Sequence, residues 1–470
     1  MKLALVILFS TFVSPSWATT YYLATVAGGG SDSNNGTSPS TPWLSPNHAV
    51  NCGDVILAAP STAYVATNFR PNMWGEVTCP AGNNVAWLKC VTFDACKIVV
   101  SGVGAHNAMT PTQSYWGVQG WEITATAISN QCFEAYPPNS NTQIHHIIFA
   151  NNICNGAYSG SFAVGQSGSV GVDYLVIIGN ISYNGAQGND ECYSGIDITS
   201  PVNSDTLPGT HYYVAGNFSW GNVDPNPCGG GIPSDGQGIF FDTVSPYTGQ
   251  MVIDNNISVF NGGMGIKALN NSTGAPNAKI YFRHNTTYGN DTGGIATLAC
   301  SEIYLQSSLS TEVFLNLSAT GAATGCRTGG PIYVLGVTSP DSTDILHNNF
   351  GYSVAGSHTT GSGAGFAYDP SNTFGTNPNF ANPIEPSAPN CGSFASVPAC
   401  MATMVANFTP TTAVAVLYGY QVPSTAQTND PLFPQWLCNV TNLPAGLVTM
   451  GCLPQLSLPA APTITGVKVQ

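Results

Sequence analysis

A two-residue step built on asparagine recurs along most of this 470-residue chain and restricts what it can fold into. The second residue of each step falls at Asn152, Asn180, Asn217, Asn256, Asn285, Asn316 and Asn349, at intervals of 28, 37, 39, 29, 31 and 33 residues. An apolar stretch with strand-like alternation precedes each marker. A polar link follows it, and in the clearest copies, between Ser234 and Thr297, that link leads to a Gly-Ile pair (Gly265-Ile266, Gly294-Ile295). Unequal periods of this size indicate a solenoid whose coils carry insertions of different length. A propeller blade needs four strands per period. These intervals hold only two or three short runs bounded by Gly, Asn or Asp, enough for one turn of a parallel coil.

Composition agrees: charged residues are only 7%, with 52 Gly, 33 Pro and an apolar share of 43%, which fits neither a disordered nor a helical chain. The net charge is −14 and only nine Lys and Arg are present, so nucleic acid and anionic membrane surfaces are excluded as partners. An acidic polymer would need a bridging cation to approach such a protein.

MKLALVILFSTFVSPSWATT carries one basic residue, an apolar run and small residues before Thr19. It reads as a secretory signal peptide cleaved between Ala18 and Thr19, and no later stretch is long and apolar enough for a membrane span. The protein is therefore expected outside the cell, and its fourteen Cys, an even number on an oxidising route, are expected in disulfides. The nearest candidates are Cys90–Cys96, Cys391–Cys400 and Cys438–Cys452, although sequence alone leaves connectivity open. His145 and His146, adjacent on a strand, are expected to face opposite sides and to be structural.

On the marker steps, the coil-length periods and an entry segment TTYYLATVAGGGSDSNNGTSPSTPWLSPNHAVNCGDVILAA, the chain resembles the right-handed parallel β-helix, or pectate-lyase-like, superfamily from roughly Tyr21 to Pro370. The resemblance implies an all-β right-handed parallel β-helix solenoid of about nine to eleven coils. Its expected parts are a signal peptide (1–18), the β-helix (19–370) and a disulfide-stapled C-terminal cap of closing coils and tail (371–470). At the entry we expect a strand over Tyr21–Ala24, a capping helix after Pro46 and a strand over Val55–Ala58. The marker asparagines are expected to stack between coils, so the Asn-x-Ser/Thr motifs among them are not glycan acceptors. Asn35, Asn270, Asn271, Asn290, Asn407 and Asn439 are the better acceptors.

Aligning the Gly-Ile pairs sets Asp197, Phe240, Lys267 and Ala296 in one outward column, with Thr199 and Asp242 in the next and Asp235 in the turn that enters the strand. Coils about 4.8 Å apart separate Asp197 from Lys267 by about 10 Å. Asp197, Asp235 and Asp242 could hold Ca²⁺, which prefers six to eight oxygens. By resemblance to the calcium-dependent pectate lyases, these three would be the metal ligands and Lys267 the base that removes the proton α to a uronate carboxylate. Phe240 and Arg283 are candidates for substrate binding; Arg283 also falls in register with Asp254, where an ion pair is the simpler reading. The Arg-x-Pro-x-x-Arg signature of the largest pectate lyase family is missing, as is the Asp-Asp plus Gly-His-Gly set of polygalacturonases, so neither subfamily is expected. The resulting expectation is a secreted, monomeric Ca²⁺-dependent lyase of an acidic polysaccharide, acting by β-elimination. Two alternatives stay open: a glycoside hydrolase on the same scaffold, and a non-catalytic adhesin or carbohydrate-binding surface using Phe240, Trp220 and Tyr193.

Overall fold

The computed structural model describes residues 18–443 apart from 80–83, 101–107, 126–130, 188–192, 226–234, 270–277, 292–299, 308–309, 322–330, 364, 392–393, 395–396, 414 and 422–429. The signal-peptide reading of the first residues thus lies outside what is described. A representative coil starts with a strand on a first sheet (Val172–Ile178), turns a two-residue corner into a short strand on a second sheet (Ile181–Tyr183), and crosses to a third (Ile196–Thr199). It then returns to the first sheet one coil further on (Thr210–Ala215). Among the described residues the first and second sheets each contain eleven strands and the third eight, and the pairings between successive coils are parallel. That matches the expected number of coils.

The corner explains the asparagine step. Its first residue adopts the left-handed conformation, as at Asn151 (φ 54°), Gly179 (φ 65°), Asn255 (φ 58°), His284 (φ 53°) and Leu315 (φ 57°). The second residue turns its amide into the stack. Asn256 Oδ1 accepts from the backbone N (3.0 Å) and Nδ2 (2.9 Å) of Asn217. Its own N and Nδ2 both donate to Asn285 Oδ1 at 3.0 Å, and Nδ2 also donates to Val214 O at 2.9 Å. The same pattern runs without a break from Asn152 to Asn349 and ends on Asn372. These amides are buried, so they cannot carry glycans. A second ladder joins Asn222, Asn261 and Asn290 and terminates on Glu302. Asn290, expected at the surface, is therefore buried as one of its rungs.

Inside the third sheet Ile196, Ile239, Ile266, Ile303 and Leu335 stack in one buried column. Ile303 thus takes the position expected for Ile295, which with Ala296 lies outside the described residues. At the entry the strands Thr20–Leu23 and Val55–Ala58 form much as expected, but no helix follows Pro46. Asp32 accepts from Leu44 N (3.0 Å), Ser45 N (2.9 Å) and Ser45 Oγ (2.8 Å), which ties the segment down as a loop. Trp43 fills the end of the coil, stacked on Tyr21 (4.4 Å) and His48 (4.0 Å).

Cys90–Cys96 and Cys391–Cys400 are bonded as expected, and Cys52–Cys79 and Cys132–Cys154 join them. Cys438 is also in a disulfide, while Cys452 lies outside the described residues. No cysteine among the described residues is free.

The segment after 371 both closes the stack and runs back along it. Thr373–Phe374 closes the second sheet, and the chain then doubles back along the coils. Phe408, just past the helix Val397–Val405, packs on Phe218, Phe260 and Tyr288 outside the second sheet. Asp430 pairs with Arg283, Phe433 packs on Tyr213, and Trp436 packs on His146 and Tyr174, all outside the first sheet. Finally Thr441 O accepts from Trp87 Nε1 at 2.8 Å, near the beginning of the stack. The outer face of the first sheet carries Ile148, Val176, Ile178 and Val252, an apolar strip that needs such a cover. Among the described residues no helix is long and apolar enough to cross a membrane.

Candidate functional site

On the third sheet the pairing sets Asp197, Phe240, Lys267 and Tyr304 in one outward column on four successive coils, with Thr199 beside Asp242 in the next. Three of the four expected positions are therefore correct, and Tyr304 replaces Ala296. The column is not the open groove that was expected. Asp197 is 3% exposed, Asp235 3%, Phe240 2% and Lys267 4%. Solvent reaches the face along the second column, where Thr199, Asp242, Leu269 and Gln306 are half-buried. Phe240 offers no platform to a sugar, because Lys267 Nζ lies 4.4 Å above its ring. Trp220 is likewise buried, stacked on Tyr183 at 4.7 Å, which removes two of the three aromatics expected to form a binding surface.

The electrostatics of this column are unusual for an acidic protein. Burial pulls the Lys267 ammonium below the ordinary lysine range, against the opposing pull of Asp235, Asp242 and Asp197. Burial pushes Asp197 well above the ordinary carboxylate range, and Asp242 and Asp235 add to that shift. Thr199 Oγ1 donates to Asp197 Oδ1 at 2.7 Å, while Oδ2 is buried without a partner. Asp242 is raised by burial and by Asp235, and is held back by Thr243 and Lys267. A carboxyl shifted upward and an amine shifted downward by burial thus share one face, two coils apart.

Among the described residues no three His, Cys, Asp or Glu side chains converge as a metal-holding group. Asp235 and Asp242 are the carboxylates left for a cation, and the rest of the six to eight oxygens that Ca²⁺ prefers would have to come from outside this pair. Arg283 belongs elsewhere. It lies on the first sheet in register with Asp254, Nη2 donating to Asp254 Oδ2 at 2.7 Å and the guanidinium also gripping Asp430, so it is structural and not a substrate ligand.

The first sheet carries a constellation that the sequence did not disclose. His146 (φ 57°) and Tyr174 (φ 47°) are left-handed, and the register slips at His211, between Thr210 and Tyr212. These are bulges stacked on three successive coils. The extra residue cancels the alternation, so His145 and His146 lie together, with their Nδ1 atoms 2.9 Å apart, and not on opposite sides as expected. Tyr115, His146, Tyr174 and His211 form a ring stack with centroid separations of 5.1, 4.5 and 3.9 Å. Asp173 anchors it from behind, accepting from His211 Nδ1 (2.9 Å), Tyr247 OH (2.5 Å), Ser204 N (2.6 Å) and Ser204 Oγ (2.9 Å). A usable signal was present: His146, Tyr174 and His211 each fall six residues before a marker asparagine.

No family model and no curated protein matches the chain. Among solved structures it is similar to the pectate lyase Pel9A, at 15% identity and TM-score 0.38 over 78% of this chain and 84% of that one. It is also similar to the GH136 lacto-N-biosidase from Eubacterium ramulus (12%, TM-score 0.38, 76% and 68%) and to the Azotobacter vinelandii mannuronan C-5 epimerase AlgE4 A-module (12%, TM-score 0.32, 68% and 91%). At such identities nothing about a site transfers. The fold is decided by the chain's own three parallel sheets and its unbroken asparagine ladder. The chain has a parallel β-helix fold. In this β-helix the Lys267 column faces outward from the third sheet and the bulged stack from the first, so the two constellations occupy different faces of the coil.

Proposed function

We propose that this protein is an exported, carbohydrate-active enzyme that cleaves an acidic polysaccharide by β-elimination on the third sheet of a right-handed β-helix. The observation that carries the reading is Lys267, buried against Phe240 within the field of Asp197, Asp235 and Asp242. A desolvated amine in that setting can be unprotonated near neutral pH and act as a general base. The sugar chain would lie along the half-buried column past Thr199 and Asp242. Lys267 takes the proton from the carbon α to the uronate carboxylate, the electron pair forms the new carbon–carbon double bond, and the glycosidic carbon–oxygen bond at the β carbon breaks. The protonated carboxyl of Asp197 gives its proton to the departing oxygen. Asp235 and Asp242, together with the substrate carboxylate, would hold Ca²⁺, which when bound supplies neutralisation of the uronate charge. Paired cysteines and the N-terminal segment support export.

One observation favours a second reading. Asp197 and Asp242 sit one coil and two residues apart, about 8 Å by strand geometry, a spacing suited to the acid and base of an inverting glycoside hydrolase. A single experiment separates the two. The protein is incubated with polygalacturonate, alginate and neutral glucans, with and without a chelator, and both ultraviolet absorbance and reducing ends are followed. Elimination gives an unsaturated, absorbing product that disappears in Lys267→Met and in chelator. Reducing ends without absorbance, lost in Asp197→Asn, would transfer the protein to the hydrolases. Equal cleavage of polyuronate by the wild type and Lys267→Met would refute the base.

A further inference from the structure

The three bulges on the first sheet open onto a cleft of about 520 Å³, walled by Tyr115, His145, His146, Tyr174, Asp205 and Trp436. Its roof is the returning C-terminal segment, so the cleft exists only because that segment crosses the sheet at this point. We propose that this cleft is a separate binding site for a short neutral saccharide, distinct from the Lys267 face.

Backbone strain supports a built site. A histidine (φ 57°) and a tyrosine (φ 47°) are held in the left-handed region on adjacent coils, and such outliers persist where the surrounding structure enforces them. Trp436 is 8% exposed and packs edge-on against His146 (4.7 Å) and Tyr174 (6.4 Å), so its indole closes one side of the cleft.

The polarity of the lining narrows the ligand. Burial pulls the imidazoles of both His145 and His146 down, that of His146 to about 3, against Asp173 and, at His145, Asp205; both rings are uncharged near neutral pH. Two neutral imidazoles joined Nδ1 to Nδ1 must be opposite tautomers, so one Nε2 is a donor and the other an acceptor. Asp205 Oδ1 accepts from Tyr174 OH (2.9 Å) and Leu207 N (2.9 Å), and its carboxylate adds negative charge at the rim. The lining therefore offers donors, acceptors and aromatic edges, no positive charge, and one anion. Hydroxyl groups, which both donate and accept, fit that set, whereas a uronate would be repelled. The volume falls within the range for a small-molecule site, about 300–1,000 Å³.

The test is isothermal titration of the full-length protein with cellobiose, lactose and mannobiose, with digalacturonate as the anionic probe and tryptophan fluorescence as a second readout. At least one neutral disaccharide is expected to bind in the millimolar range or tighter and to shift the fluorescence, with digalacturonate unable to displace it. Trp436→Phe, which shortens this aromatic wall, should weaken binding about tenfold, with the melting temperature followed alongside to separate loss of the wall from loss of the fold. Lys267→Met should leave this binding intact while abolishing polyuronate turnover, so failure of one proposal is distinguishable from failure of the other. The proposal is overturned if none of the three binds at millimolar concentration, if Trp436→Phe and Asp205→Asn both bind as the wild type does, or if Lys267→Met removes the binding.

Discussion

Leu315 occupies a corner position that is glycine, asparagine or histidine in the neighbouring steps, and its φ of 57° is unfavourable for a branched apolar side chain. Leu315→Asn should stabilise the protein by about 0.5–1 kcal/mol in chemical denaturation, whereas Leu315→Met should not. Glu302 has a different cost. Burial pushes its carboxyl up to about 8, although Asn290 N and Nδ2 donate to it. An unfolded glutamate loses its proton near pH 4.3, so between that pH and about 8 the folded state binds more protons, and stability must fall as pH rises. Glu302→Gln should reduce that slope in melting curves taken from pH 5 to 8. Buried Glu134, also pushed up to about 8, should keep the slope from vanishing. The proposed elimination needs Lys267 deprotonated and Asp197 protonated, so under that proposal turnover should follow a bell in pH whose rising limb lies below the usual lysine titration.

At the scale of the element, the asparagine ladder is the testable unit. Asn256→Ala leaves the backbone N and the amide of Asn217 without an acceptor and Val214 O without its side-chain donor, in a fully buried place. The expected loss is about 3 kcal/mol or more, whereas Asn35→Ala, at the exposed edge of the entry loop, should lose far less. The ladder was legible in the sequence because its chemistry is local: a left-handed residue and an amide, repeated at every corner. The register of the column was legible for three coils, Asp197, Phe240 and Lys267, because Gly-Ile marks those strands. It failed on the fourth, where Gly294-Ile295 follows its marker at the same distance as Gly265-Ile266 does. The strand that actually pairs begins at Ser301, disguised by the buried Glu302 that ends the second ladder. Burial of the column could not be read at all, since nothing in a strand's own alternation says what covers its outer face. The bulges were hidden for a related reason: a residue inserted into a strand changes the face of its neighbours without changing their identity.

Across the whole molecule, the feature of most consequence is the segment that doubles back from Asp430 to Asn442. Arg283 is held between Asp254 and Asp430, so Arg283→Met would strand one buried and one half-buried carboxylate and should cost about 3 kcal/mol, read as a lower denaturation midpoint. A stack in which each coil touches only its neighbours melts as a one-dimensional chain, fraying from its ends. Here Asn442 donates to Gly53 O, and Thr441 meets Asn84 and Trp87, at sequence separations of 389, 357 and 354 residues. That closure converts a linear array into something closer to a ring: the first turns cannot open without releasing the last residues, and the last residues cannot detach without uncovering the first turns. It also fixes an order of events, because coils formed early keep a bare apolar strip until the end of the chain arrives to dress it.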